Sequence, residues 1–153
     1  MAEPLLVHGT CISIEGTGIL IRGASGTGKT QTALCLFRRL KPHIQNCFFV
    51  TDDQTLLTED VALQALVASC PEPICGKIEV FGFGIIEDHS MFCQSATIGL
   101  LVDLVDDRQV ARMAPETEVD LLGFRLPRLL LPMRKPDLCV NAIVAAIYGH
   151  ARF

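Results

Sequence analysis

One short segment constrains the fold of this chain more than any other. It fits the pattern G-x-x-x-x-G-K-[ST] at every fixed position and consists of Gly23, Ala24, Ser25, Gly26, Thr27, Gly28, Lys29 and Thr30. In such a loop the glycines let several backbone N–H groups point at one anion, and the following helix N-terminus adds partial positive charge. The lysine reaches the β- and γ-phosphates, and the last hydroxyl can ligate Mg²⁺. The segment therefore predicts a P-loop that binds a nucleotide or a similar polyphosphate.

The residues on either side of this loop predict a strand before it and a helix after it. Residues 19–22 form a short apolar run that ends at the first glycine of the loop. Apolar residues then recur at three- and four-residue spacing over Lys29–Leu40, which is the pattern of a helix with one buried face. Pro42 ends that helix. These flanking elements favour a P-loop over a plain glycine-rich turn.

The rest of the chain predicts more strands than helices. The further predicted strands are Leu5–Ile14, 48–51, 78–87, 98–105 and two short strands within 119–131, while residues 61–69 fit either type. Residues 137–148 predict a second helix with Asp137 as its N-cap. Its predicted buried positions include Leu138, Ala142, Ala145 and Ala146. With no repeat or linker, the pattern predicts one α/β domain with a mixed sheet over residues 1–153.

Composition excludes several function classes. Half of the 153 residues are hydrophobic and a fifth are charged, which fits a folded globular domain. The net charge of -4 argues against nucleic-acid binding, and no apolar run reaches the ~20 residues of a membrane helix. The seven cysteines form no CxxC and follow no signal peptide, so we expect reduced thiols in the cytoplasm. Cys70 and Cys75, in CPEPIC, are the pair that comes nearest to a metal or redox pattern.

Two adjacent carboxylates, Asp52 and Asp53, directly follow the predicted strand 48–51. The carboxyl ends of strands are where open α/β sheets place their ligands. One carboxylate can hold the Mg²⁺ that bridges the phosphates, and the other can accept a proton from an attacking hydroxyl. A solvated turn with a helix cap is the alternative interpretation.

Four more residues are candidates that the sequence alone leaves open. His8 lies in the first predicted strand, where a lone histidine is more often structural than catalytic. Glu79 lies in an otherwise apolar strand, where a buried acid needs a partner or a metal. Arg112 and Arg134 can stabilise negative charge, although each also fits an ordinary surface arginine.

Taken in order along the chain, these pieces resemble HPr kinase/phosphorylase. The matching segments are His8-Gly9, 18–21 (GILI), the P-loop, Asp52-Asp53 and 78–86 (IEVFGFGII). Later, 131–134 (LPMR) and 144–146 (VAA) look like that family's C-terminal loop and helix. The resemblance covers nearly the whole chain and matches the catalytic domain alone, without the N-terminal domain that many members carry.

The resemblance implies a P-loop kinase domain, similar to the phosphoenolpyruvate carboxykinase-like fold. It implies an enzyme that phosphorylates a serine of HPr, the phosphocarrier of the sugar phosphotransferase system, using Mg²⁺ and ATP or pyrophosphate. Members also reverse the reaction by phosphorolysis and are commonly hexamers. By resemblance, Asp53 is the base in the forward direction and the acid in the reverse one, and Lys29 contacts phosphate. The other implied roles are magnesium ligation by Thr30 and Glu79, an active-site histidine at His8 and a catalytic arginine at Arg112.

The chain departs from the family pattern at three places. Phe81 stands where the family usually has Arg, and Gln31 stands where a Glu is common. The segment 134–137 (RKPD) is shorter than the family's C-terminal loop and lacks its second Arg. Because that loop is associated with dephosphorylation, we expect retained kinase activity with weak phosphorolysis. A kinase of a small molecule and a non-catalytic nucleotide sensor are the alternative functions.

Overall fold

The structure, a computed structural model, describes residues 3–112 and 118–149. Ten strands and two helices are assigned within these ranges. The strands are β1 (Leu5–Ile14), β2 (Thr17–Arg22), β3 (Cys47–Thr51), β4 (Gln54–Asp60), β5 (Ala65–Ser69), β6 (Lys77–Val80), β7 (Gly84–Glu87), β8 (Ser95–Val105), β9 (Glu118–Leu121) and β10 (Phe124–Pro132). The helices are α1 (Lys29–Leu40) and α2 (Pro136–Tyr148). Neither helix is long and apolar enough to cross a membrane.

The long strand β1 organises the sheet. Its C-terminal half pairs with β2 on one side and β3 on the other, both antiparallel, so β2 and β3 run parallel to each other. Strand β8 pairs parallel to β2, and β10 pairs parallel to β8. The carboxyl ends of β2, β3, β8 and β10 therefore meet at one edge of a mixed sheet, which we call the carboxyl edge. Strand β1 lies between β2 and β3, so the strand before Asp52 reaches this edge without pairing with the strand before the P-loop.

The remaining pairings curve the sheet and create two hydrophobic layers. The N-terminal half of β1 pairs with β4, which pairs with β5, which pairs with β8, so the strands close a ring back to β2. Successive residues of a strand face opposite sides. Thus Ile19 and Ile21 of β2 pack in the cluster with α1 and α2, whereas Leu20 packs in the second cluster.

An ion pair joins the end of β2, just before the P-loop, to β8. Arg22 donates from Nε and Nη2 to the two carboxylate oxygens of Asp103 on β8, at 2.8 and 2.9 Å. A bidentate pair of this kind fixes direction as well as distance. The start of the loop is therefore held in register with the carboxyl end of β8.

Several predicted elements are confirmed, and two are wrong in detail. β1 and α1 have the predicted bounds. Residues 78–87 form a hairpin of β6 and β7 instead of one strand, because Gly82 adopts a φ of 84° and turns the chain.

The other correction concerns α2. Its N-cap is Lys135, and Asp137 lies in the first turn because Pro136 occupies the first helical position. Its buried residues are Cys139, Val140, Ile143 and Val144, whereas Leu138 is 56% exposed and Ala145 and Ala146 are exposed.

Candidate active site

The P-loop connects β2 to α1 at the carboxyl edge, and its shape depends on glycine. Gly26 and Gly28 have φ angles of 81° and 92°, which side chains with a Cβ rarely adopt. A Cβ on Gly23 would lie 2.5 Å from Oγ1 of Thr27. Thr27 in turn donates its hydroxyl to the carbonyl oxygen of Ala24, 2.8 Å away. The loop is therefore preformed, with its crown of residues 24–26 exposed to solvent.

Lys29 lies beneath this crown and is almost fully buried. Its Nζ donates to the carbonyl oxygens of Gly23 and Ala24 at 2.9 and 3.1 Å. Burial lowers the pKa of Lys29, because desolvation disfavours its charge, while the nearby carboxylates of Asp53 and Asp52 oppose this shift. The ammonium group is thus held across the loop, where it can exchange its carbonyl partners for phosphate oxygens.

Asp52 links the P-loop to two other segments. Its Oδ1 accepts the Thr30 hydroxyl at 2.7 Å and the Thr10 hydroxyl at 2.9 Å. Its Oδ2 accepts the backbone N–H of Glu79 at 3.1 Å. The side chain is buried, and these bonds supply the partners that a buried carboxylate needs. Asp52 therefore fixes β1, α1 and the β6–β7 hairpin around one point.

Asp53 occupies a different environment one residue later. Its side chain is 65% exposed, and Oδ1 lies 3.1 Å from Nε2 of His8. Its φ of 68° is left-handed, a region that Asp tolerates better than most residues. Hydrogen bonds to β1 hold this backbone in place: the N–H of Gly9 donates to the Asp53 carbonyl, and the Asp53 N–H donates to Oγ1 of Thr10. The carboxylate is thus oriented but open to a reactant.

The oxygen ligands at this site suit a hard cation. The Thr30 hydroxyl donates its hydrogen bond to Asp52, so the lone pairs of Oγ1 can accept another partner. Glu79 is exposed and attached by its own backbone to the same carboxylate. Within residues 3–112 and 118–149, no three His, Cys, Asp or Glu side chains are grouped to hold a metal by themselves. Mg²⁺ often uses one or two carboxylates together with phosphate oxygens, and the residues present fit that mode.

Comparison with known proteins decides the family. A family model described as the HPr Serine kinase C-terminal domain matches residues 1–151. The chain belongs to this family.

Relatives and a solved structure agree with that assignment. HPr kinase/phosphorylase of Geobacillus thermodenitrificans is 34% identical, over 96% of this chain and 48% of the relative. The protein of the same name from Clostridium botulinum is 30% identical, over 100% of this chain and 50% of the relative. This chain therefore spans about half the length of the curated relatives it matches. The structure of the Hpr(Ser) kinase/phosphatase from Coxiella burnetii matches with a TM-score of 0.76 at 22% identity, covering 95% of this chain and 90% of that one. That likeness confirms the predicted P-loop kinase fold with a mixed sheet.

In this HPr kinase C-terminal domain, most of the predicted site residues lie together at the carboxyl edge. Lys29, Thr30, Asp52, Asp53 and His8 are joined by the contacts described above, and Glu79 joins them through its backbone N–H. The expectation that Glu79 is a buried acid is wrong, since its side chain is exposed on the hairpin. Their catalytic and metal-binding roles stay predictions.

Arg112 is the predicted site residue that the contacts do not tie to this group. It is exposed, and it directly precedes residues 113–117, which lie outside the described ranges. Its catalytic role stays a prediction.

Arg134 is the residue that sequence reasoning undervalued. Its backbone N–H donates to the carbonyl oxygen of Thr27 at 2.9 Å, and Nη1 approaches the carbonyl oxygen of Gly26 at 3.4 Å. The residue has a φ of 58°, so the chain turns sharply after β10 to lie against the P-loop. Its position in the LPMR segment, which resembles the family's C-terminal loop, was the sequence signal for a role in the site. Its contact with the P-loop spans more than a hundred residues and cannot be inferred from spacing.

Thr10 was not predicted at all. Its hydroxyl donates to Asp52 and accepts from the N–H of Asp53, so one side chain positions both aspartates. Its place two residues after His8 on β1 carried no sequence signal, because threonine is an ordinary strand residue.

Proposed function

We propose that this chain is an ATP-dependent protein-serine kinase domain that acts on HPr or an HPr-like phosphocarrier protein. The observation that carries the proposal is the pairing of an exposed, histidine-bound Asp53 with a P-loop whose Thr30 is bonded to the adjacent Asp52. Family membership supports the same conclusion. The relatives named HPr kinase/phosphorylase are about twice as long as this chain, so their activity is applied to it only as part of this proposal.

In the proposed reaction, the P-loop amides and Lys29 hold the phosphates of the donor. The serine hydroxyl of the acceptor approaches Asp53 from solvent, and the carboxylate takes its proton as the oxygen attacks the γ-phosphorus of ATP. The bond from that phosphorus to the bridging oxygen breaks, and ADP leaves. His8 keeps Asp53 in one orientation through the 3.1 Å contact. Asp52 is buried and accepts hydrogen bonds from Thr30, Thr10 and Glu79, whereas Asp53 is exposed. The proposed proton transfer is therefore assigned to Asp53.

We propose Thr30, Asp52 and Glu79 as the residues that hold Mg²⁺ with the donor phosphates. Thr30 offers free lone pairs, and Asp52 orients it. When bound, the ion would neutralise charge on the transferring phosphoryl group.

The surroundings of the site favour a protein as the acceptor. The hairpin that carries Glu79 also carries Phe81 at 101% exposure, Phe83 at 76% and Ile85 at 67%. Three exposed apolar side chains on one hairpin are unusual for a surface that meets only water. Because Glu79 is bonded to Asp52, this apolar tip borders the place where the acceptor serine must arrive. A small polar acceptor would gain no binding energy from these apolar side chains.

The remaining expectations belong to the same proposal. The donor is ATP or pyrophosphate, the protein works in the cytoplasm without nucleic acid or membrane, and it assembles as a homo-oligomer, a hexamer by resemblance. Phosphorolysis is weak, because holding a seryl phosphate beside a free phosphate requires cations between them. Phe81 replaces one such cation, and the short segment 134–137 lacks another.

The test is transfer of label from γ-labelled ATP to purified HPr in the presence of Mg²⁺. We expect phosphoserine on HPr, and no ATP consumption when HPr is left out. Transfer of label to an added small-molecule acceptor, with none to HPr, would favour a small-molecule kinase. Tight Mg-ATP binding without transfer to any HPr would favour a nucleotide sensor.

A further inference from the structure

Two cysteine side chains lie close together in the segment between β5 and β6. Cys70 follows β5, and Cys75 lies just before β6. Both thiols donate to the same carbonyl oxygen, that of Pro71, with each Sγ 3.3 Å from it. The two sulfur atoms thus face each other across one oxygen atom. Both residues line an open cavity of about 360 Å³, which small solutes can enter.

The two thiols are attached to the segments that hold Asp52 and Asp53. Cys70 directly follows Ser69, which pairs with Leu56 near the start of β4. The Thr51 hydroxyl donates to the carbonyl oxygen of Gln54 and so closes the turn that contains both aspartates. Cys75 leads through Gly76 into β6, where the N–H of Glu79 donates to Asp52. A movement of this cysteine pair can therefore shift both the turn that contains Asp52 and Asp53 and the segment that carries Glu79.

We propose that Cys70 and Cys75 form a reversible disulfide with a two-electron oxidant such as hydrogen peroxide, and that this oxidation lowers the activity of the site. The Cys75 thiolate attacks one peroxide oxygen, the O–O bond breaks, and the departing hydroxide takes a proton to leave as water. The Cys70 sulfur then attacks the sulfenic acid on Cys75, the S–S bond forms, and a second water leaves. The two thiols lose two electrons in total, and the peroxide gains them.

The surroundings assign these two roles. Burial raises the pKa of Cys70 to about 12, and its hydrogen bond with Cys75 adds to the effect, so we assign Cys70 the second step, in which its thiol attacks the sulfenic acid. A disulfide needs the sulfur atoms about 2 Å apart. Both side chains must therefore rotate away from the Pro71 carbonyl. This movement shifts residues 70–76, which join β5 to the strand that carries Glu79, whose N–H donates to Asp52.

Cys93 provides a matched control. It borders the same cavity, but its thiol donates to the carbonyl oxygen of Ser95, 3.6 Å away, instead of to Pro71. Cys47 provides another, because it is fully buried yet falls in the same tryptic peptide as the pair. We expect neither Cys93 nor Cys47 to form the disulfide.

The experiment treats the whole chain with hydrogen peroxide, alkylates the remaining thiols after unfolding and analyses tryptic peptides. We expect the peptide with Cys47, Cys70 and Cys75 to lose two alkylatable thiols and about 2 Da, reversibly with dithiothreitol. Cys70→Ser and Cys75→Ser should each abolish this loss, while Cys93→Ser and Cys47→Ser should keep it. A disulfide that forms in Cys75→Ser, or none in the parent, would overturn the proposal.

The functional part rests on the proposed kinase activity and is measured separately. We expect oxidation to lower phosphate transfer to HPr at least fivefold in the parent and to leave Cys75→Ser unaffected. If the parent has no transfer activity, the mass analysis still decides whether the disulfide forms. The Mg²⁺ concentration needed for ATP binding then replaces transfer as the readout, because Cys75 leads into the strand that carries Glu79. An unchanged activity and Mg²⁺ requirement in the fully oxidised parent would refute the regulatory effect alone.

Discussion

The P-loop and the segment around Asp52 and Asp53 lie at the same edge of the sheet but are built differently. The P-loop is one continuous segment whose shape follows from its own glycines and from bonds such as that between Thr27 and Ala24. The aspartates instead depend on partners from β1, α1 and the hairpin, all distant in sequence. In the proposed function, donor binding is thus locally encoded, whereas the chemistry toward the acceptor depends on the tertiary fold. Variants of each region should separate these two properties.

Lys29→Ala should have the largest effect on the donor side. It removes the only cation in the P-loop motif, and bonds to charged groups contribute about 1.5–3 kcal/mol. Mg-ATP should bind about a hundredfold more weakly in calorimetry. Lys41→Ala, just beyond the other end of α1, is the control and should bind normally. Equal affinity in Lys29→Ala and the parent would disprove the P-loop interpretation.

Thr10→Val should affect the acceptor side alone. The change keeps the shape but removes the hydroxyl shared by Asp52 and Asp53. Transfer to HPr should fall about tenfold at saturating ATP, with Mg-ATP affinity nearly unchanged.

Thr55→Val is the matched control for this variant. Thr55 is an equally buried hydroxyl, but it donates to the Gly9 carbonyl and touches neither aspartate. If both variants lose transfer equally, Thr10 matters for stability and not for positioning.

Glu79→Gln should raise the Mg²⁺ concentration needed for half-maximal transfer, by roughly tenfold, because a neutral amide is a poorer ligand for a hard cation. Glu87→Gln, on the partner strand of the same hairpin, should leave the titration unchanged. Identical titrations for the parent and Glu79→Gln would make Glu79 structural.

The double variant Phe81→Ser, Phe83→Ser should have the smallest effect. We expect the KM for HPr to rise roughly threefold to tenfold because exposed apolar anchors are lost, while kcat and Mg-ATP affinity stay the same. Leu63→Ser removes a similarly exposed side chain from the turn between β4 and β5 and is the control. A small-molecule acceptor would predict no change in the double variant.

The same contrast explains which features could be predicted from the sequence. The P-loop and α1 are contiguous, so residue types and spacing define them and the predicted bounds of α1 are confirmed. The hairpin was predicted as one strand because IEVFGFGII is apolar apart from Glu79, and only the backbone reveals the turn at Gly82. The contact of Arg134 with Gly26 and Thr27 joins opposite parts of the chain. No local pattern encodes such a contact.

The most direct test of the central claim is a paired measurement on Asp53→Asn. The amide keeps the shape of the carboxylate but cannot accept a proton from serine, while the P-loop and Lys29 are untouched. We predict Mg-ATP affinity close to that of the parent in calorimetry and single-turnover transfer to HPr slower by on the order of a hundredfold or more. Transfer at the parent's rate in Asp53→Asn would contradict the assignment of Asp53 as the base.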